Sequence, residues 1–510
     1  MIFNLGGRIK NKSMKKIVYK ISIVVFVLSM FSCEGFLDRN PLDKLSNETF
    51  WSTDAEVQMA LGGCYRRLRD NGYFGIERIM MDALTDNAQY KWGGDLVSIS
   101  RGVIETSTGG IIDDMWGGAY AGISTCNNFL ENVDKASDVV QPEDMQNYMG
   151  QVHFLRAFFY FELVQYFGDV ILYKENPKTV EDAKIAQSPE AEVLEFIHMD
   201  LDSAINMLPD DRYEDGYAVK GSAQALKARV LLYEENWSEV ASLTKEIIDD
   251  GTYSISSSDY RLLFIYRQYR NKEIMFSTKY LNPDDYSDID AMLILWGAMA
   301  PRQELVDEYE CIDGLSIDES PLYDPDSAYK HRDPRLGMTL MVPGEKWYNP
   351  DGSQHTPDPS ISGYYQKKYV DSTRLPISTS TLSDQDFIHL RFADVLLMYA
   401  EAQNEDAGVD QSVYDAVNQV RTRVGMPDLP AGLSQSEMRD AIRHERRIEL
   451  ALEGLRYFDL KRWHIAHEVM PAVHDLGNIQ IVFEDPKHYH WPYQMTELEV
   501  NPKLVPNPNY

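Results

Sequence analysis

Two aromatic side chains in a polar loop are the sharpest chemical signal in this sequence. Tyr90 and Trp92 lie in D-N-A-Q-Y-K-W-G-G-D, residues 86–95. Glycines follow them, and the surrounding polar residues leave two large rings little core to fill. A flat ring matches the apolar C–H face of a sugar, and Asp86 and Asn87 close by supply groups that hold a hydroxyl rim. A second turn of this kind, D-N-G-Y-F-G at 70–75, carries Tyr73 and Phe74. A third set is Trp296, then Trp347 and Tyr348, with Tyr364 and Tyr365 further on. Trp116, Trp237, Trp463 and Trp491 fall within the apolar segments described below and are assigned to the core.

Catalytic signatures are missing from the sequence. It has no glycine-rich phosphate loop, no H-E-x-x-H and no G-x-S-x-G elbow. His488 and His490 form the closest histidine pair and, beside Tyr489, Trp491 and Pro492, read as structural. The densest charged stretch is 443–463, R-H-E-R-R-I-E-L-A-L-E-G-L-R-Y-F-D-L-K-R-W. Glu445, Glu449 and Glu453 repeat one helical turn apart, and Arg446, Arg447 and Arg456 can pair with them around the helix. The acidic run P-D-D-Y-S-D-I-D at 283–290 reads as a solvated loop. No catalytic residue, metal ligand or cofactor is assigned. A glycosidase would need two carboxylates facing each other across a cleft, which carboxylate-rich composition alone does not identify.

The formal net charge is −31, and the basic N-terminal segment makes the remainder more acidic still. Such a body repels nucleic acid and anionic lipid. Cys64, Cys126 and Cys311 have no close spacing, which excludes a disulfide scaffold and a zinc-type arrangement of cysteines.

The elements that position these residues are mostly helical. In 148–167, Tyr148, Val152, Leu155, Phe159, Leu163 and Tyr166 recur at steps of three and four, and Gly168 stands where a helix should end. Residues 220–248 read as a helical hairpin with a break at Glu235-Asn236, and 391–423 as another; both resemble tetratricopeptide-type pairs. Further helices are predicted at 54–70, 113–133, 189–207 and 434–453. From about 250 to 388 the sequence is rich in Tyr, Asp, Pro, Gly and Ser, which predicts loops and short strands.

Near the N-terminus, Lys15, Lys16 and Lys20 precede an apolar run from Ile21 to Phe31, followed by Ser32 and Cys33. The run is too short for a permanent membrane span and reads as a secretory signal, with Met14 as a possible start. A cysteine directly after the cut predicts lipidation at Cys33 and a body tethered to a membrane.

Taken in order, several segments resemble the SusD/RagB family of Bacteroidetes outer-membrane nutrient-binding lipoproteins. They are C-E-G-F-L-D-R-N-P at 33–41, M-W-G-G-A-Y-A-G-I-S-T-C-N-N-F-L at 115–130, F-L-R-A-F-F-Y-F-E-L-V-Q-Y-F-G-D-V at 154–170 and A-L-K-A-R-V-L-L-Y at 225–233. R-F-A-D-V-L-L-M-Y-A-E-A-Q-N-E at 391–405, V-N-Q-V-R-T-R-V-G-M at 417–426 and the C-terminal W-P-Y-Q-M-T-E-L-E-V-N-P-K-L-V-P-N-P-N-Y complete the series. The resemblance implies a mostly α, SusD-like fold, with tetratricopeptide-like helix pairs as scaffold, long loop-rich insertions and few short strands. The expected layout is a signal peptide (1–32), a lipidated tether (33–45), an N-terminal helical part (46–250), a loop-rich ligand-facing part (251–388) and a C-terminal part (389–510) in one body. It also implies an outward-facing place on the outer membrane, an oligosaccharide or sometimes peptide ligand, a SusC-like TonB-dependent transporter as partner, and no catalysis. In such proteins the loop at about the position of Tyr90 and Trp92 often carries stacking aromatics. A surface glycosidase on a helical frame and a purely structural subunit that binds only its transporter are the other expectations the residues leave open.

Overall fold

The computed structural model describes residues 50–70, 74–256, 260–265, 271–475 and 478–510. Cys33, its leader, the tether and Tyr73 lie outside these residues.

Helix α1 (Asp54–Arg66) starts at a capping box. The Thr53 side chain accepts from the Glu56 amide, and the Glu56 carboxylate accepts from the Thr53 amide. Helices α2 (Ile111–Asn132), α3 (Pro142–Phe167), α4 (Glu190–Met207), α5 (Lys220–Tyr233) and α6 (Trp237–Asp250) then stack, each on the one before. The stack continues onto α7 (Phe392–Asp406), which packs against α6 and then against α8 (Gln411–Arg423) and α9 (Gln435–Glu449). The predicted helices are all present, and α3 ends at Gly168, whose φ of 68° needs no Cβ to be avoided. Its burial differs from the single stripe expected. From Gly150 to Phe167 every residue except His153 is buried, because α2 and α4 cover α3 from two sides.

Between α6 and α7 the chain makes its loop-rich excursion. Its short strands include β2 (Ile274–Thr278), β3 (Met299–Pro301) and β4 (Phe387–Arg391), while β1 (Ala88–Tyr90) lies far earlier, between α1 and α2. The antiparallel β2–β4 ladder pairs Ile274 with Arg391 and Thr278 with Phe387. Residues 279–386 therefore leave the stack and return to it at one place.

A buried ion network fastens this excursion to the helices. Glu445 accepts from Arg335 at 2.5 Å and Arg421 at 3.0 Å. Glu449 accepts from Arg391 at 2.5 Å, Arg423 at 2.5 Å and Arg335 at 3.0 Å. Glu453 accepts from Arg391 and from Lys368, each at 2.7 Å. The pairing differs from the local one expected. Arg446 goes to Asp394 and Asp459, while Arg447 and Arg456 go to Asp86. The cause is burial: a carboxylate removed from water needs several donors at once, and neighbours on one helix cannot surround it. Burial pushes the Glu449 carboxyl up, yet Arg423, Arg391 and Arg335 outweigh it and hold the group well below the ordinary carboxylate range. Burial likewise pulls the Lys368 ammonium down to about 8, against the attraction of Glu453.

Candidate functional site

The site begins with a strand pairing that joins two distant parts of the chain. β1 and β3 run antiparallel, with Ala88 opposite Pro301, Gln89 opposite Ala300 and Tyr90 opposite Met299. The ladder continues one step as the Lys91 amide donates to Ala298 O at 2.9 Å. Arg302, directly after β3, donates through Nε to Ala88 O at 2.9 Å and Thr85 O at 3.1 Å. Its Nη2 donates to the Asp475 carboxylate at 2.6 Å. A buried guanidinium thus locks both strands to the C-terminal part of the chain.

Three rings meet beyond the end of this ladder. The Tyr90 and Trp92 centroids are 5.8 Å apart with planes at 83°. Trp92 and Trp296 are 5.9 Å apart at 71°. Both contacts are edge-to-face, the arrangement aromatic quadrupoles favour. Trp92, in the middle, is 39% exposed, and its two partners are half-buried. Trp296 follows a short turn of π-helix (Ala291–Leu295) and precedes Gly297 at φ 56°. A Cβ at Gly297 would press on the Tyr365 ring at 3.1 Å, so the turn that presents Trp296 needs glycine for both reasons.

Polar groups surround the rings. Lys91 Nζ donates to Trp296 O at 2.8 Å, lies 3.9 Å from the Asp358 carboxylate and stands 5.8 Å from the centre of the Trp92 ring. Tyr365 donates to Asp358 O and accepts from the Ser360 amide, each at 3.0 Å, which fixes the 358–360 segment beside Trp296. Burial raises the Tyr90 phenol above its ordinary value, and the negative charge of Asp288 adds to the effect. The arrangement offers a partly exposed indole ring with a cation and exposed carboxylates near it. That suits a ring-shaped ligand with an apolar face and a polar edge.

The structure therefore joins Tyr90, Trp92 and Trp296 and separates the other candidates from them. Asp86 and Asn87 are corrections: both are buried, at 4% and 0% exposure, with their side chains taken. Asp86 accepts from Arg456 at 2.8 and 2.9 Å and pairs with Arg447 at 3.0 Å. Burial pushes its carboxyl up, but these two guanidiniums prevail and hold it at about 2. Asn87 donates to Asp82 at 2.8 Å and accepts from Arg447 Nε at 3.1 Å. These two residues anchor the base of β1, the strand that carries Tyr90, and their side chains are engaged inside the protein. Phe74 is core, packed edge-on against Phe158 and Phe159. Trp347 is buried, while Tyr348 is exposed on a separate two-residue strand. Of the four tryptophans assigned to the core, Trp116, Trp463 and Trp491 are buried, and Trp237 packs half-buried against it.

Lys91, Asp288 and Asp358 were not among the expected residues. Lys91 sits between the two loop aromatics and was open to discovery; nothing in the sequence ties Asp358 to residue 92. A cavity of about 640 Å³ lined by Gln58, Tyr148, Arg212 and Tyr217, and one of about 400 Å³ lined by Phe161, Leu194, Lys461 and Tyr489, do not include the three rings. The platform is a surface feature.

Comparison with known proteins gives a consistent result. The model of the SusD family matches residues 268–510, and one described as "Starch-binding associating with outer membrane" matches 35–232. The chain is 28% identical to SusD-like protein P2 of Formosa agariphila, over 98% of this chain and 100% of that one. Its fold is similar to that of a SusD-like protein from Bacteroides fragilis, with a TM-score of 0.81 at 28% identity, covering 92% of this chain and 100% of that one. A second structure from the same organism, described as a SusD-like carbohydrate binding protein, gives 0.79 at 28% identity, with 90% and 100% covered.

Proposed function

The chain belongs to the SusD/RagB family, and on that premise we propose that it is a glycan-binding lipoprotein of the outer membrane. It captures an oligosaccharide at the cell surface and delivers it to a SusC-like TonB-dependent transporter. Lipidation at Cys33 supplies the anchor. Among the described residues no helix is long and apolar enough to cross a membrane. Carbohydrate binding and outer-membrane association are what the matched family descriptions and the second Bacteroides fragilis structure support.

The observation that carries the reading is the exposure of Trp92 within a chain of three rings. Tyr90 and Trp296 meet it at 83° and 71°, which holds the ring in place while 39% of Trp92 stays open to solvent. A pyranose stacks on the open part of this ring while the exposed Asp288 and Asp358 are available to its hydroxyls. The role is capture without chemistry on the ligand. In support, Glu445, Glu449, Glu453 and Asp459 each serve buried arginine or lysine partners, so the richest cluster of acids is not available as a hydrolase pair.

Isothermal titration of the purified protein against plant and host oligosaccharides tests this. One glycan class is expected to bind, and Trp92→Ala is expected to weaken it at least about tenfold, or about 1.4 kcal/mol. Binding of peptides with no response to any glycan would replace the ligand class, and binding unaffected by Trp92→Ala would move the site. Copurification with a β-barrel transporter from outer-membrane extracts tests delivery.

A further inference from the structure

A second cluster of chemically capable side chains lies outside the aromatic platform. Helix α10 (Arg456–Arg462) ends at Trp463, and His464 follows with a left-handed backbone at φ 52°. A short helix then starts at Ala466 and carries His467. This turn brings the two imidazoles to a centroid distance of 5.2 Å. A third group arrives from a separate loop: Asp485 Oδ2 is 3.4 Å from His464 Nε2. One ligand atom from each of the three residues lies within 4.8 Å of the others.

The geometry points to a divalent transition-metal site, of the zinc class, formed by His464, His467 and Asp485. Tetrahedral bonds of about 2.0–2.1 Å put ligand atoms roughly 3.3 Å apart. The His464–Asp485 spacing already meets that value. The remaining separation closes by side-chain rotation at an exposed edge, where His464 is 62% and Asp485 37% accessible. Two imidazoles with one carboxylate select zinc-like ions over magnesium or calcium, which want oxygen. An ion pair this exposed contributes little stability by itself, so charge pairing alone gives the trio no role.

The surroundings resemble the outer shell of a metal centre. The Tyr489 ring stacks on His464 at 4.4 Å with planes at 25°, and its hydroxyl is 2.8 Å from His467 Nδ1. One tyrosine therefore orients both imidazoles. His464 and Asp485 also line the 400 Å³ cavity, together with Lys461 and His490. Three protein ligands leave a fourth coordination position, and whatever occupies that cavity has access to it. A bound ion ties the end of α10 to the 485–490 loop.

Titration of the whole, untagged protein with zinc chloride tests the proposal. The expected result is one site with Kd of about 10 µM or below, weakened at least about tenfold by His464→Ala and by His467→Ala. His474→Ala, at another exposed histidine, is expected to leave it unchanged. Cobalt(II) loading is expected to produce the intense visible absorption of a four-coordinate centre, lost in both variants while their circular dichroism stays native. No saturable zinc binding, affinity that survives both substitutions, or equal loss in His474→Ala would each overturn the assignment.

Discussion

Asp86 shows how a candidate ligand residue becomes a support. Its carboxylate holds Arg447 and Arg456 just before the strand that carries Tyr90. Asp86→Asn leaves both guanidiniums short of charge in a buried place, at a cost of about 3 kcal/mol. The expected readouts are a lower Tm and weaker glycan binding, although no ligand contact is removed. The pH dependence has a definite sign. The folded carboxyl sits at about 2 against an ordinary 3.8, so its contribution is present above about pH 4 and is lost as pH falls toward 2. Thermal melts of the wild type and Asp86→Asn should converge over that window. The small polar and aromatic residues at 86–95 draw attention to Tyr90 and Trp92, which the structure brings together with Trp296. They do not divide the segment into anchor and platform, because the arginines that claim Asp86 lie more than 350 positions away.

At the scale of elements, apolar spacing located each main helix to within a few residues, since period is a local property of the chain. Neighbours are not local, and this is why the burial of α3 on every side was invisible. The contact of α2 with α3 is close enough to test. A Cβ at Gly122 would lie 2.6 Å from the Phe159 ring. Gly122→Ala should therefore destabilise the protein by about 1–3 kcal/mol through overpacking, read as a lower Tm with unchanged helical circular dichroism. The charged stretch at 443–463 was legible as an ion-pair network, but its partners were not. Arg335, Arg391 and Lys368 come from the excursion or its base, and the demand of buried carboxylates for several donors overrode the one-turn spacing on α9.

For the whole molecule, charge decides which ligands approach. At −31 the protein repels polyanions, whereas a neutral oligosaccharide feels no net force. Its Kd should change by less than about twofold between about 0.05 and 0.5 M sodium chloride, while a sulfated glycan should bind more tightly as salt screens the repulsion. Titrations across salt distinguish the two. The meeting of Trp296 with Trp92 also belongs to this scale; it exists because β3 returns to β1 across the excursion, and the spacing of residues along the chain does not reveal it. The same holds for the helical stack, in which α6 packs on α7 although the excursion separates them in the chain. A ribosome delivers residues N-terminus first. Until residue 406 has emerged, the flank of α6 that α7 covers has nothing to pack on. The order of synthesis itself therefore leaves that flank of α6 bare until the whole excursion has been made.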